Sequence, residues 1–403
     1  MKSDLIRDLQ SRGLIHQATD VNALDYAASQ ERLTAYIGFD LTASSLHVGS
    51  LIQIMTLLRL KQHGHRALVL LGRSTTQIGD PSGKTTSRPM LSEDEIDANQ
   101  RGIRDTLVRI LGDDQEFLTN DWFDMPYIEF LRHYGPLFTV NRMLTMDSVK
   151  SRLDKNDPMT FLEFNYMILQ SVDFLELVST ENCTLQIGGS DQWGNITTGV
   201  DLVRRVMGKN VFGLTTPLMT NSVGEKMGKT AAGAIWLDPV LTPPFDFWQF
   251  WRNIDDADVL RFWRIFTLAN EDVIQGIMRM PINDQKIMLA NAVTTLVHGV
   301  QHSDRCWQTA RAMMDGGIGP DTPVFDFIDD ETIVEALVRT GLVKSKGDGD
   351  RQAANGGVKV NGEVVTDVRR IFANHDLMDD GMTFRLSLGK KRVVAIRMGV
   401  GDE

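Results

Sequence analysis

The chain has 403 residues, 42% hydrophobic and 24% charged, with a formal net charge of −11. Such a length calls for two or three domains with ample core. Its longest apolar runs, such as 67–71, are far too short to span a bilayer. The acidic balance argues against a chain-wide attraction to nucleic acid, though it leaves room for a local basic surface. The opening residues carry Asp4 early and lack the apolar stretch of a secretory signal, so a cytoplasmic protein is expected. Cys183 and Cys306 have no Cys-x-x-Cys spacing and are expected to be reduced thiols, neither a disulfide nor metal ligands.

In chain order, Ser3 caps a short helix ended by Gly13, and a second helix covers 21–31. An extended run, 34–39, breaks at Asp40-Leu41-Thr42-Ala43-Ser44-Ser45, and an apolar-periodic helix follows over 46–60. His47 and Gly49 are expected on its first turn, where exposed N–H groups and the helix dipole favour an anion. Gly49 lets a ligand lie close to the backbone. The aliphatic run 67–71 reads as a strand buried on both faces, completing a parallel strand–helix–strand unit. A long turn is expected over 72–89, then a helix opened by the capping box of Ser92 and Glu95, and a short strand at 117–119. Residues 121–158 are aromatic, Met-bearing and interrupted by prolines, an insertion with apolar residues for a subunit contact.

A strong helix is expected over 160–178, a strand at 183–187, a Gly-rich turn into another helix, a strand at 214–220 and a Lys-bearing loop over 221–233. Residues 247–314 read as helical, with Trp248, Trp251 and Trp263 as core candidates. After a linker at 316–323, residues 331–398 form a small α+β unit with one helix and strands at 358–360, 383–388 and 393–397.

Several motifs carry chemistry. The stretch 79–84 followed by Thr85 falls one residue short of a Walker loop, but Asp80 could meet an ammonium, and Lys84 with Arg88 could meet phosphates. Lys226 and Lys229 lie three apart on a Gly-bearing loop, either solvated or able to close over a triphosphate. Tyr166, Gln170 and Asp173, spaced i, i+4, i+7, share one helix face. They form either a polar surface stripe or, if buried, a set that needs polar partners such as a small molecule. His63 and His65 at a helix end are explained by the dipole.

Taken together these residues resemble the class I aminoacyl-tRNA synthetases, and most closely the bacterial tyrosyl-tRNA synthetase family. His47-Val48-Gly49-Ser50 is similar to the His-Ile-Gly-His signature, with Ser50 at the second histidine. Lys226-Met227-Gly228-Lys229-Thr230 is similar to the Lys-Met-Ser-Lys-Ser loop, with Gly228 at the first serine. Segments 36–40, 79–84, 166–173 and 188–195 match in order and spacing.

The resemblance implies an α/β fold. A doubly wound, Rossmann-like parallel sheet forms a catalytic domain over 1–220, with a helical dimerisation insertion at about 121–158. A lysine-loop linker (221–246), an all-α anticodon-side domain (247–320) and a ribosomal-protein-S-four-type RNA-binding domain (331–403) follow. It implies tyrosine--tRNA ligase activity, with L-tyrosine, ATP and tRNA(Tyr) as substrates, in a cytoplasmic homodimer. Mg²⁺ is expected to arrive with ATP, and no protein-ligated metal is expected. Tyr36 and Asp173 would hold the phenol. Asp80, Tyr166 and Gln170 would meet the ammonium, and Gln186, Asp191 and Gln192 would line the ribose and carboxylate. Asp40, Gly49 and Ser50 join the ATP set. Thr42 and His47 would stabilise the γ-phosphate end, and Lys226, Lys229 and Thr230 would close on pyrophosphate, supported by Lys84 and Arg88. Rejection of phenylalanine follows from leaving Tyr36 and Asp173 unpaired. A tryptophan--tRNA ligase, a non-catalytic RNA-binding relative and a P-loop NTPase are the competing readings.

Overall fold

A computed structural model describes residues 1–82, 90–230, 233–389 and 392–398, without the side chains of Asp147, Lys229 and Thr230. The chain divides into two compact units, Met1–His298 and Gly299–Glu403. The first unit is built on a six-stranded sheet of β1 (Gln17–Ala18), β2 (Thr34–Asp40), β3 (Arg66–Gly72), β4 (Glu116–Thr119), β5 (Leu185–Gly189) and β6 (Phe212–Thr216). The order is β1-β6-β5-β2-β3-β4. Neighbours run parallel, except that β1 is antiparallel to β6.

Why β3 is so apolar follows from that position. Parallel strands covered by helices on both faces have no solvent side, so residues 67–71 are all aliphatic and buried. From β2 the chain winds outward through β3 and β4, then returns to lay β5 and β6 on the other side. The winding reverses between β2 and β5. In such sheets the crevice beyond the carboxyl ends of the two strands at the reversal is where ligands bind. The expected doubly wound sheet is present, and the short edge strand β1 is an addition.

Local departures have local causes. The signature helix is Leu51–Gln62, preceded by a tight turn at Val48–Ser50, so His47 caps that turn and does not lie on the helix. Within the expected turn 72–89, Arg73–Ile78 is a helix, ended by Gly79 at φ 83°. The expected helix 160–178 is two, Phe161–Phe164 with its own capping box at Thr160 and Glu163, and the pocket helix Tyr166–Thr180. His65 owes nothing to a dipole. Its Nδ1 accepts from Leu33 N at 3.1 Å, and burial lowers its pKa, which favours the neutral ring. His63 lies beside Asp8 at 3.2 Å.

Residues 244–298 of the first unit are helical. Helices Pro244–Arg252, Val259–Phe266 and Ile282–His298 bury Trp248, Trp251 and Trp263. Trp251, fully buried, has Phe247, Phe250, Phe262 and Phe266 around it at ring separations of 4.9–6.2 Å. Both cysteines are free and buried, and burial pushes each thiol up to about 12.

The first unit also holds a two-stranded hairpin, β7 (Lys229–Thr230) and β8 (Gly233–Ala234). The second unit opens with helix Val300–Met314 and carries a five-stranded sheet. Its strands are β9 (Val324–Asp326), β10 (Val358–Val360), β11 (Glu363–Val364), β12 (Thr383–Leu388) and β13 (Arg392–Arg397), in the order β11-β10-β12-β13-β9. Two helices follow β9 in sequence, Ile333–Arg339 and Lys346–Ala354, where one was expected. The second is capped by Ser345 and contains Gly347 and Gly349. A Cβ at 349 would fall 2.7 Å from Val334 Cγ2, so the glycine that weakens local helix propensity is what lets the two helices meet.

Candidate active site

Alternation along β2 sends Tyr36, Gly38 and Asp40 to one face. That face meets the pocket helix, because the ring of Tyr36 lies 5.6 Å from that of Phe174 and Tyr166 reaches Asp40. Between them Gly38 is exposed although it sits in the middle of a central strand, and nothing approaches within 4 Å of where its Cβ would stand. The cleft therefore runs down to the sheet itself, with Gly38 as its floor.

Eleven of the fifteen residues of the pocket helix are buried, Tyr166 and Asp173 among them, so these two are not part of a surface stripe. Each polar group must then be satisfied, and the partners are specific. Tyr166 Oη donates to Asp40, 3.0 Å to Oδ2 and 3.1 Å to Oδ1. Thr75 Oγ1 donates to the same carboxylate at 3.0 Å. Asp173 accepts from Trp122 Nε1 at 3.0 Å and from Asn120 Nδ2 at 3.3 Å. Burial pushes the Asp173 carboxyl well above its ordinary range, and these two donors pull it back.

Two groups in this pocket are buried without a hydrogen-bond partner among the described residues: Tyr36 Oη and Gln186 Oε1. Gln186 is the β5 neighbour of Tyr36. The Tyr36 hydroxyl is held protonated, first by burial and then by the nearby Asp173. An orphaned buried hydroxyl costs on the order of 1–3 kcal/mol, a cost that a ligand hydroxyl between Tyr36 and Asp173 would remove.

A second polar chain crosses the cleft. Asn195 Nδ2 donates to Gln170 Oε1 at 2.9 Å and to Gln192 Oε1 at 3.1 Å. Gln192 Nε2 donates to Asp80 Oδ2 at 2.6 Å, and Asp80 Oδ1 accepts from Ser82 N at 2.9 Å. Gln170, Asp80 and Gln192, which lie far apart in sequence, thus belong to one network. Asp191 is exposed on the turn directly after β5.

The signature turn and the lysine loop meet at the carboxyl end of the sheet. His47 Nδ1 accepts from Gly49 N at 3.0 Å, so in the neutral ring the proton sits on Nε2. A Cβ at 49 would fall 2.6 Å from His47 Cε1, so glycine here makes room for the imidazole. Two backbone hydrogen bonds tie the turn to the loop's return arm, Val48 N to Ile235 O at 2.9 Å and Leu237 N to Leu46 O at 2.8 Å, and together they pair His47 with Trp236 as an antiparallel bridge. Ile235 N in turn donates to Gly228 O at 3.0 Å. Gly228 has φ 100°, and its Cβ would lie 3.0 Å from Val48 Cγ2 and 3.4 Å from Gly49 N. A serine at this position would be strained, which is a physical reason for the departure from the signature loop.

Thr42 is exposed on the turn after β2, Ser50 is half-buried without a side-chain capping bond, and Lys226 is exposed on the loop. Lys84 and Arg88 lie outside the described residues, as do the side chains of Lys229 and Thr230. Among the described residues no cluster of His, Cys, Asp or Glu is placed to hold a metal, and no helix is long and apolar enough to cross a membrane. Sequence reasoning missed Gly38, Asn120, Trp122 and Asn195. Only Gly38 left a local signal, a glycine inside a strand.

Residues 28–314 match the family described as tRNA synthetases class I (W and Y), and residues 315–396 match a tyrosine--tRNA ligase SYY-like C-terminal domain. A tyrosine--tRNA ligase from Caulobacter sp. (strain K31) is 47% identical over 412 residues, 98% of each chain. One from Novosphingobium aromaticivorans is 48% identical over 97% of each. Among solved structures, a C-terminally truncated Aspergillus nidulans mitochondrial tyrosyl-tRNA synthetase shares 30% identity at a TM-score of 0.69, covering 77% of this chain and 94% of that one.

Proposed function

This chain belongs to the class I tRNA synthetases of the W and Y family, and from that membership we propose how its residues divide the work. It acts as a tyrosine--tRNA ligase, with tyrosine, ATP and tRNA as substrates. In the first step the tyrosine carboxylate attacks the α-phosphate and pyrophosphate leaves. In the second, a hydroxyl of the tRNA terminal adenosine attacks the adenylate carbonyl and AMP leaves. Neither step needs a covalent bond to the protein, so positioning and charge stabilisation carry the rate.

Tyr36 and Asp173 read the substrate phenol: its O–H donates to the carboxylate while Tyr36 Oη donates to its oxygen. The observation that carries this reading is the buried Tyr36 hydroxyl, without a partner among the described residues and within the electrostatic reach of Asp173. Tyr166 spends its one O–H as a hydrogen bond to Asp40 and so keeps its oxygen lone pairs for the substrate ammonium. Gln170 and Asp80 complete that acceptor set. Gln186, Asp191 and Gln192 line the reacting carboxylate and the ribose. Asp40, Gly49 and Ser50 border ATP, and Thr42 and His47 address its γ-phosphate end. Lys226, Lys229 and Thr230, with Lys84 and Arg88, take up charge on pyrophosphate. Mg²⁺ comes with ATP, held by its phosphates.

The insertion joins two copies of the chain in a homodimer. What supports this is that the insertion exposes Tyr127, Ile128, Val140, Leu144 and Leu153. Residues 331–403 track tRNA, and the enzyme works in the cytoplasm. Tyrosine-dependent ATP–pyrophosphate exchange tests the assignment: exchange with tyrosine and none with tryptophan or phenylalanine is expected, and equal exchange with tryptophan overturns it.

A further inference from the structure

We propose that Asp258 is a positioning residue for the adenylation step, acting on the lysine loop from the far side of the ATP site. The inference rests on the reading of Lys226 and Lys229 as the cations that meet pyrophosphate.

The lysine loop leaves β6 as a narrow hairpin. Met227 N donates to Met219 O at 2.8 Å, Thr220 bridges Lys226, and Asn221 N donates to Glu225 O at 2.9 Å across the tip. One end of this loop is fixed by Gly228 and Ile235 against the signature turn. The other end is fixed by residues just before and within helix Val259–Phe266. Asp258 Oδ2 accepts from Ser222 N at 3.0 Å, and Asp258 Oδ1 accepts from Arg261 Nη2 at 2.7 Å. The same Arg261 nitrogen donates to Thr220 O, and Asp255 accepts from Ser222 Oγ at 3.3 Å.

Asp258 is only 2% exposed. A carboxylate so buried must be fully hydrogen-bonded, and one of its donors is a loop amide. Peeling the hairpin away removes one of the two donors to that carboxylate, so the loop is held in this position by a charge-assisted hydrogen bond. The opposite end of the same helix receives the signature helix: Arg59, itself 2% exposed, donates to Thr267 O. One eight-residue helix, about 12 Å long, therefore joins the element behind His47 to the element bearing both lysines. That helix contacts the lysine loop through Arg261 and the signature helix through Thr267 at its end, and so fixes the separation of the two elements.

The test is single-turnover tyrosyl-adenylate formation per titrated active site. Asp258→Ala is expected to slow it roughly ten- to hundredfold, the weight of one hydrogen bond to a buried charge. Asp258→Asn, which keeps an acceptor oxygen for one of the two donors and presents an NH2 group to the other, should slow it less. Equilibrium tyrosine affinity should stay within about twofold in both, a split that general loss of structure would not produce. If Asp258→Ala does not fold, Arg261→Met, at an arginine side chain that is 41% exposed, removes the clamp from the surface and should show the same split. In a Lys229→Ala background the Asp258 substitution should add nothing. An unchanged rate in Asp258→Ala and Arg261→Met, with Lys229→Ala still impaired, overturns the positioning role alone. An unchanged rate in Lys229→Ala overturns the reading of the loop and this inference with it.

Discussion

Replacing Tyr36 by Phe should have opposite effects on stability and on function. The Tyr36 hydroxyl is buried near Phe174, Asp173 and Cys183, without a hydrogen-bond partner among the described residues. Deleting it removes a desolvated polar atom while leaving the ring in place, so the free protein should gain up to about 1–3 kcal/mol. The cavity left by one oxygen offsets part of that gain. With tyrosine bound, the same deletion removes one neutral hydrogen bond of about 0.5–1.5 kcal/mol, a loss of roughly two- to tenfold in tyrosine affinity. Discrimination against phenylalanine should fall by a similar factor, since phenylalanine never used that hydroxyl. Thermal unfolding with and without saturating tyrosine measures the first effect, and isothermal titration together with exchange rates on both amino acids measures the second. A variant that is less stable without ligand, yet binds tyrosine as tightly as the parent, would refute the assignment of this hydroxyl to the substrate.

Gly228→Ser should cost about 1 kcal/mol through its left-handed backbone and lower the adenylation rate more than tyrosine affinity; stopped-flow fluorescence would show an unaltered rate if the loop does not need that conformation. A chain ending after Pro320 should keep ATP–pyrophosphate exchange and lose most tRNA charging, and equal loss of both would refute the division of labour along the chain. Glu271 has its pKa drawn down to about 2 by hydrogen bonds from Arg264 and then Gln275. Its folded value is depressed, so its contribution is present above about pH 4.3 and is lost as pH falls towards 2. Because its side chain is 51% exposed, Glu271→Gln should cost no more than about 1 kcal/mol at pH 7. The difference from the parent should vanish near pH 2 in urea titrations, and a constant difference across that range would refute the pairing.

The centre of the sheet was legible because β3 is an aliphatic run bounded by glycine, a signal that needs no tertiary information. The shared face of Tyr166, Gln170 and Asp173 was legible for the same reason, since helix spacing is local. What those side chains touch was not. Asp40 and Tyr166 are 126 residues apart, and Trp122 and Asp173 are 51 apart, and nothing in the composition around Asn120 or Asn195 marks them as partners. The helix Lys346–Ala354 was hidden by Gly347 and Gly349, whose low propensity is overridden by packing on Val334. The turn before the signature helix was misread because apolar periodicity begins at Leu46, five residues before the helix does. A local basic surface, which the acidic balance left room for, finds little support in the terminal unit, where Lys390 and Lys391 lie outside the described residues. Of the other basic residues in the terminal unit, Arg351, Arg369 and Arg370 are paired with Asp348, Asp350 and Asp376.

The two buried thiols make the chain a convenient host for site-specific labelling. The Cys183 thiol donates to the carbonyls of Thr34 in β2 and Leu185 in β5, and burial pushes it and the Cys306 thiol up to about 12, so neither offers much thiolate to a maleimide at neutral pH. A single cysteine introduced at Val223, which is 74% exposed at the tip of the lysine hairpin, would then be labelled almost alone. A dye at that tip would report the hairpin's position in the native enzyme through each stage of the reaction, with both natural cysteines left in place.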